Sequence, residues 1–263
     1  MANSTSWKKI FDDYEILKHD FSKSPFLLSA SQIKKSCQKF KNTAEKEVRI
    51  LCKQDSRESR PEVFRKNNLF LLPTKNGYYS IIKGEGYIDI PEIKKDIETY
   101  DSKLNFHLDS SEIGNSEMQH LDFAYASSLI RTFMGDPTLV LTIRGRKYTP
   151  EFNFLVGKQK IEVGGVQTEV DAGYEGEKQI VLVEAKGTGS SNTIIRQLYY
   201  PYRQWQSCTE KKVITLFFER DIKENSYSIW EFKFDDEKNY NSIKLVKSGK
   251  YRIKEKSTPS NKK

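Results

Sequence analysis

The sequence has few of the residues that build disulfide frameworks or metal clusters. Its three cysteines, Cys37, Cys52 and Cys208, are odd in number, far apart and without a Cys-x-x-Cys pair. This pattern argues against a disulfide framework and against a zinc knuckle, and it indicates reduced thiols in a cytoplasmic protein. The three histidines are too scattered in the sequence to predict a metal cluster.

Long apolar runs and phosphate-binding loops are also missing. No run reaches about 18 consecutive apolar residues, the length that indicates a membrane helix. The first residues, MANSTSWKKIFDDY, lack the apolar segment of a secretion signal. We therefore expect neither a membrane span nor export. The sequence contains no Gly-rich phosphate loop of either common kind and no internal repeat.

Positive charge is in excess. Among 263 residues, Lys and Arg number 44 while Asp and Glu number 36, which gives a formal net charge of +8. A balance of this kind favours a polyanionic partner, although a merely solvated basic surface is equally compatible with it. The length suits two modest hydrophobic cores better than one large core, so we predict two domains.

The first half predicts helices followed by a hairpin. Residues 1 to about 30 indicate one or two short helices. The segment ASQIKKSCQKFKN then places Ile33, Cys37 and Phe40 at helical spacing, and EKEVRILCKQ also predicts a helix. Two strand-like runs, LFLLP and YYSIIKG, flank Thr-Lys-Asn-Gly, in which Asn-Gly is a strong hairpin signal.

Helices followed by a basic hairpin are typical of a winged-helix-like DNA-binding unit. We predict such an α+β domain at residues 1–110, with its boundary in the polar segment 101–115. An α+β capping domain whose lysines are only solvated remains the alternative. The candidate DNA contacts form a diffuse set: Lys34, Lys35, Arg65, Lys66 and Lys75.

The second half predicts an α/β domain with a mixed sheet at residues 111–253. SEMQHLDFAYASSLIRTFMG indicates one helix, capped by Ser116, with an apolar stripe that ends before Gly135. Seven runs then predict strands: LVLTIRG, FNFLVG, KIEVGG, VQTEVDA, QIVLVEAK, VITLFFER and YSIWEFKF. Between the fifth and sixth runs lies a predicted helix, which Pro201 should kink or end early. Residues 254–263 are expected to be a basic, disordered tail.

Three reactive side chains come together in the stretch VDAGYEGEKQIVLVEAKGTG. Residues two apart in a strand share a face, so Glu184 and Lys186 should point together. A hairpin turn near Glu177 and Lys178 would place Asp171 opposite Glu184, on the same face. Facing carboxylates repel each other and a divalent cation relieves the repulsion, so this pattern predicts a Mg²⁺ site for phosphodiester hydrolysis.

The tripeptide acid-x-Lys alone is weak evidence, because it occurs several times in this chain. The strongest competitor is Glu231-Phe-Lys233, which lies in a predicted strand ten residues after Asp221. With a turn near residues 223–226, however, Glu231 should lie opposite Phe218 rather than opposite an acid. Only Asp171 and Glu184 are expected to pair across a hairpin.

These motifs resemble the core of the PD-(D/E)XK nuclease superfamily over residues 116 to 218. VDAG supplies its aspartate, Asp171, and VLVEAKG supplies its E-x-K. Val170 precedes the aspartate where the family motif has Pro, a departure that leaves the metal ligand intact. The resemblance implies a restriction-endonuclease-like mixed β-sheet flanked by helices. With the basic N-terminal region, the chain looks most like a type II restriction endonuclease.

The resemblance also implies roles for individual residues. Asp171, Glu184 and the Ala185 carbonyl would bind Mg²⁺, and Lys186 would orient or help activate the attacking water. Three more candidates are Glu117 as a helix acid, Glu169 as a base on the face of Asp171, and Gln197 as a helix glutamine. For each of them, an ordinary surface role is the alternative. The nearest basic candidates for DNA phosphates are four arginines: Arg144, Arg146, Arg196 and Arg203.

We therefore expect a Mg²⁺-dependent, site-specific endonuclease that cuts double-stranded DNA, as a homodimer if it cuts both strands. Two alternatives remain open. One is a PD-(D/E)XK nuclease of repair or mobile elements. The other is a winged-helix DNA-binding protein without catalysis.

Overall fold

The N-terminal unit places helices against a three-stranded sheet. The computed structural model describes residues 2–255, which contain eight α-helices and fourteen strands. The unit's helices are α1 (Ala2–Asp13), α2 (Ala30–Cys37), α3 (Thr43–Lys46), α4 (Val48–Leu51) and α5 (Glu62–Lys66). Its strands are β1 (Phe26–Ser29), β2 (Leu69–Lys75) and β3 (Tyr78–Lys83), antiparallel in the order β1-β3-β2.

The predicted hairpin is confirmed and several helix predictions need correction. β2 and β3 are joined by Asn76 and Gly77, and Gly77 has a φ of 75°, a backbone conformation that favours glycine. EKEVRILCKQ forms two short helices, α3 and α4, rather than one. Strand β1 lies in the segment for which only helices were predicted, because its four residues give no clear alternation of apolar and polar side chains.

The β2–β3 hairpin of the three-stranded sheet is buried on both faces over most of its length. Ile81 of β3 packs in the helical core, where the rings of Trp7 and Phe64 meet edge to face at 4.8 Å between centroids. Its neighbour Ile82 points the opposite way, because successive strand residues alternate, and it joins the cluster that contains Tyr199. The sheet therefore joins the N-terminal core to the core of the second half.

The second half is built around a seven-stranded sheet. Its helices are α6 (Glu117–Ala126), α7 (Leu129–Met134) and α8 (Arg196–Gln206). The strands are β4 (Tyr87–Asp89), β5 (Glu98–Asp101), β6 (Val140–Tyr148), β7 (Phe152–Val156), β8 (Gln159–Val163), β9 (Gln167–Glu175), β10 (Gln179–Gly187), β11 (Asn192–Ile194), β12 (Lys212–Asp221), β13 (Ser226–Phe234) and β14 (Ile243–Lys254).

The large sheet is mixed, as predicted, and the chain is of the α/β class. Its order is β5-β14-β13-β12-β10-β9-β6. β10 and β12 are parallel neighbours joined through α8, and β14 is parallel to β5, while the remaining pairs are antiparallel. All seven strands predicted for this half are present. Within residues 2–255, no helix has the length and apolar character to cross a membrane.

β10 is an interior strand of the sheet, between β12 and β9, with helices on both faces. Val181, Val183 and Ala185 pack in the same cluster as α6 and α7 side chains. Ile180 and Leu182 face the other way, where residues of α8 pack on the sheet. Burial on both faces explains the continuous apolar run that precedes Glu184.

Two helices differ from their predictions. The single helix predicted after Ser116 is interrupted where Ser128 adopts a φ of 66°, so α6 ends and α7 begins; Ser116 does cap α6 by accepting the amide of Gln119. α8 does not end at Pro201 but continues to Gln206. The predicted apolar stripe consists of Met118, Leu121, Tyr125 and Leu129, and its first residue, Met118, is 46% exposed.

Strands on the two sides of the predicted domain boundary near residue 110 pair with each other. β4 and β5 lie within the predicted 1–110 domain and pair with β11 and β14. Lys254, counted in the predicted tail, is the last residue of β14, whereas residues 256–263 of that tail lie outside the described residues. β14 has two mostly exposed faces, which explains why no apolar pattern predicted it.

Candidate active site

The β9–β10 hairpin sets the geometry of the site. A two-residue turn at Glu177 and Lys178 closes it, with the Gly176 amide bonded to the Gln179 carbonyl. Val183 and Ala172 form the last backbone pair, and continuing this register by one residue would bring Glu184 opposite Asp171. The competing tripeptide has no such partner. Glu231 lies opposite Leu216 rather than the predicted Phe218, and Asp221 lies opposite Ser226.

Asp171 is held by the backbone of the neighbouring strand. The Ala185 amide donates to its Oδ2 at 2.7 Å, just beyond the last backbone pair of the hairpin. Burial raises the pKa of Asp171, against the lowering effects of this hydrogen bond and of the Lys186 ammonium; nearby Glu117 and Glu169 add to the rise. The carboxylate is thus fixed in position but is costly to ionise without a cation.

Glu184 lies deepest in the site, with 7% of its surface exposed. Its Oε1 accepts hydrogen bonds from the Lys186 ammonium and from the Gln197 amide nitrogen, the latter at 2.7 Å. Burial raises the pKa of Glu184 to about 7; the Lys186 charge opposes the rise and the Asp171 charge increases it. Near neutral pH this carboxyl is therefore balanced between its two protonation states.

Lys186 is the positive charge of the cluster. Burial by itself lowers the pKa of its ammonium, but the Glu184 carboxylate, helped by Asp171 and Asp55, outweighs burial and leaves the pKa above its usual value. Lys186 therefore remains an ammonium at neutral pH. Its charge opposes that of Glu184, the carboxylate it contacts.

Gln197 and Glu117 hold the site from opposite sides of the sheet. Gln197, on α8, accepts the Thr193 hydroxyl at 2.8 Å while it donates to Glu184, so its amide orientation is fixed at both ends. Glu117, on α6, accepts the Gly187 amide at 2.6 Å at the end of β10. The structure thus brings together Asp171, Glu184, Lys186, Gln197 and Glu117.

The protein supplies only part of a complete ligand set for a metal ion at this site. Among residues 2–255, no group of three or more His, Cys, Asp and Glu side chains that could hold a metal ion is found. The two opposed carboxylates nevertheless fit Mg²⁺, which takes one or two carboxylates and completes its shell with water and phosphate oxygens. The fit rests on the two carboxylates that line one cleft beside each other, and a cation there would also oppose the burial that raises the pKa of both.

A cleft of about 790 Å³ leads to the carboxylates. One wall comes from the large sheet and α8, including Asp171 and Glu184. The other comes from the N-terminal unit, including the hairpin tip at Asn76. The cationic side chains that line it, besides Lys186, are Arg49, Lys53, Lys75, Arg146 and Arg196. A cleft with this rim suits an extended anionic substrate.

Three of the predicted basic residues line the cleft. Lys75 extends from the end of β2. Arg146 lies at the rim, where its Nε is 3.2 Å from the Glu169 carboxylate. Arg196 lies 3.7 Å from Asp55. Glu169 is therefore paired with an arginine on the exposed face that it shares with Asp171.

The other predicted basic residues do not line it. Arg144 pairs with Asp122 of α6. Arg203 binds the carbonyls of Asn153 and Glu237 at 3.3 and 2.6 Å, and so ties α8 to neighbouring segments. Lys34 and Lys35 are exposed on α2, outside the residues that line the cleft.

Sequence reasoning missed the wall formed by residues 49–55. Arg49, Lys53 and Asp55 were not candidates, because nothing local distinguishes them from solvated charges on short helices and turns. The Ile194 amide binds the Asp55 carbonyl at 2.9 Å and brings this segment against β11. No sequence signal predicts a contact between residues so far apart in the chain.

The family comparisons match the whole length of this architecture. Residues 82–252 match the family described as a domain of unknown function (DUF6997), and because this is more than half of the chain, the protein belongs to that family. Residues 4–81 match a second domain of unknown function (DUF6996). Comparison with curated proteins and with solved structures gave no match.

Proposed function

We propose that the protein is a Mg²⁺-dependent endonuclease that hydrolyses phosphodiester bonds of double-stranded DNA at specific sites. The observation that carries the proposal is the cluster at the end of the β9–β10 hairpin. There, Asp171 and Glu184 are opposed, and Lys186 and Gln197 both contact Glu184. A structural role alone does not require a buried acid and a half-buried acid beside an ammonium, because burying charge is costly.

The order of elements around this cluster supports the resemblance to the PD-(D/E)XK nucleases. An acid-bearing helix, α6, precedes the hairpin, and α8 with Gln197 follows it, both packed on a mixed sheet. In the N-terminal unit, helices and the β2–β3 hairpin support a winged-helix-like role in binding DNA, with Lys75 at the cleft. We propose that the enzyme acts as a homodimer when it cuts both strands.

The site's own residues can perform most of the chemistry. Asp171, Glu184 and the Ala185 carbonyl would hold Mg²⁺, which supplies charge for the transition state and a more acidic water. The Lys186 ammonium can hold the attacking water and stabilise the negative charge that develops as the new P–O bond forms and the old one breaks. Gln197 fixes the orientation of Glu184, and the cationic rim can position neighbouring phosphates.

A gel assay tests the proposal. Phage DNA is incubated with the protein in Mg²⁺ or in EDTA. Discrete bands that require Mg²⁺ are the expected result. A Mg²⁺-dependent smear would instead indicate a nuclease without site specificity, such as one of repair or mobile elements. A salt-sensitive shift without cutting would indicate a non-catalytic DNA-binding protein and overturn the proposal.

A further inference from the structure

A second, smaller cavity of about 240 Å³ adjoins the cleft at Lys186. It shares three lining residues with the cleft: Lys53, Asp55 and Lys186. The rest of its lining is polar and carries four hydroxyl groups, from Ser56, Ser59, Ser190 and Thr193. The Ser59 and Thr193 hydroxyls already donate to the Ser56 carbonyl and to Gln197, which leaves those of Ser56 and Ser190 as hydroxyl donors. Hydroxyl and ammonium donors together are the chemistry that binds phosphate oxygens.

Part of this donor set is only weakly engaged within the protein. The Ser190 hydroxyl lies 3.5 Å from the Gly187 carbonyl, at the outer limit for a hydrogen bond. Lys53 is 76% exposed and its ammonium is 3.8 Å from Asp55. Arg196, which lines the neighbouring cleft, lies 3.7 Å from the same carboxylate, so Asp55, the one acid in the cavity lining, has two cations close to it.

The cavity is built by both halves of the chain and is fixed at several points. The Asn192 side chain accepts the Arg57 amide at 2.7 Å and donates to the Glu58 carboxylate at 3.0 Å. Together with the Asp55 carbonyl, these contacts tie residues 55–58 to the segment that follows β10. The donors are therefore held in place beside the proposed catalytic cluster.

We propose that this cavity binds the backbone phosphate next to the one that is cut, so that the DNA strand passes from the cleft across Lys186 into it. The inference rests on the proposed nuclease function and adds the path of the strand. At about 240 Å³ the cavity is smaller than pockets for whole drug-sized ligands, and it suits one phosphate with part of its sugar. Anchoring that phosphate would align the scissile bond with the carboxylates.

Ser190 provides the discriminating variant, because it lines the cavity but not the cleft. Ser190→Leu fills the cavity without changing charge, and Ser190→Ala leaves it open. Affinity for a short fluorescein-labelled DNA duplex is measured by anisotropy over a salt series in EDTA, where hydrolysis cannot interfere. We expect Ser190→Leu to bind about tenfold more weakly, and Ser190→Ala, which loses one hydroxyl donor but leaves the cavity open, to bind with an affinity between that of Ser190→Leu and wild type.

The salt dependence identifies the lost contact as a phosphate contact. The slope of log affinity against log salt should become shallower by about 0.9 in Ser190→Leu and in Lys53→Ala. Lys46→Ala, an exposed lysine on α3 outside both cavities, is the matched control and should keep the wild-type slope. Lys53→Ala changes an exposed side chain, so it tests the inference even if Ser190→Leu folds poorly.

Failure of the inference and failure of the nuclease proposal give different results. Wild-type affinity and slope in both Ser190→Leu and Lys53→Ala would overturn the strand path, whether or not the enzyme cuts. Binding that depends on Ser190 and Lys53 without any cleavage would overturn the nuclease proposal and retain the phosphate site. Absence of DNA binding by the wild-type protein would overturn both.

Discussion

The Ala185 amide donates a 2.7 Å hydrogen bond to the carboxylate of Asp171, so a backbone group of one strand fixes the reactive side chain of the next. Glu184, in the opposed position, is fixed instead by the side chains of Lys186 and Gln197. The two acids are thus held by different means. Substitutions at Lys186 and Gln197 should alter Glu184 without displacing Asp171.

Replacing Lys186 with alanine should abolish cleavage and leave DNA binding largely intact. The variant loses the ammonium that neutralises Glu184 and that would stabilise the charged transition state. Cleavage in Mg²⁺ and duplex binding in EDTA are measured side by side. Lys233→Ala is the matched control, because it removes the lysine of the competing Glu231-Phe-Lys233 tripeptide and should cut like wild type. Wild-type cutting by Lys186→Ala would refute the site assignment.

Stability should fall as the pH rises from about 4.5 to about 7 when no metal is present. Burial raises the pKa of Glu184 in the folded protein to about 7, from an ordinary value of 4.5. Within that window the folded protein holds more protons than the unfolded chain, so a rise in pH favours unfolding. Urea denaturation in EDTA should show this slope in wild type and a weaker slope in Glu184→Gln. Equal slopes in the two proteins would contradict the prediction.

Mg²⁺ should stabilise the protein above pH 7 through the opposed carboxylates. A ligand at tenfold its dissociation constant adds about 1.4 kcal/mol to the free energy of unfolding. The gain should disappear in Asp171→Asn and should diminish below pH 5, where protons compete for the carboxylates. Thermal unfolding with Mg²⁺ or EDTA measures it, with Asp221→Asn as the control that keeps the wild-type response. A Mg²⁺ gain that persists in Asp171→Asn would place the ion elsewhere.

Gln197→Ala should slow cleavage about tenfold or more with little change in DNA affinity, because Glu184 loses the partner that orients it. The turnover number should fall while the KM for DNA stays close to wild type. Gln206→Ala, at the far end of the same helix, controls for general effects on α8. If kcat is unchanged in Gln197→Ala, the glutamine has no role in positioning Glu184.

Arg203→Ala should reduce stability by about 2 kcal/mol and leave DNA affinity unchanged, because its guanidinium binds carbonyl groups within the fold. Arg146→Ala should weaken DNA binding and leave stability close to wild type, because Arg146 is 66% exposed at the rim of the cleft. Denaturation curves and duplex binding on both variants give the comparison. If Arg203→Ala lost more DNA affinity than Arg146→Ala, Arg203 rather than Arg146 would be the residue that binds DNA.

The hairpin could be predicted because its information is local. A two-residue turn fixes the register, and the register alone determines that Asp171 opposes Glu184. The same reasoning failed for Glu231, because the β12–β13 turn was placed slightly too late in the chain. A shift of one residue in the centre of a turn moves the partner by two, from Phe218 to Leu216.

The second wall of the cleft depends on contacts between distant segments. Asp55 meets Ile194 through a backbone hydrogen bond, and Gln159 reaches the Phe21 carbonyl. Neither residue spacing nor secondary-structure propensity predicts these two contacts. The sequence also does not predict which arginines bind groups within the fold. Arg146 and Arg203 were therefore both candidates for DNA contact until their partners were known.

The alternation of Ile81 and Ile82 has a consequence for how the protein can be divided. The two family matches meet between these residues, within a continuous strand whose successive side chains belong to different cores. A fragment that stops at this junction would divide β3 and leave each product with an uncovered apolar face. We therefore expect the two halves to unfold together, as one cooperative unit.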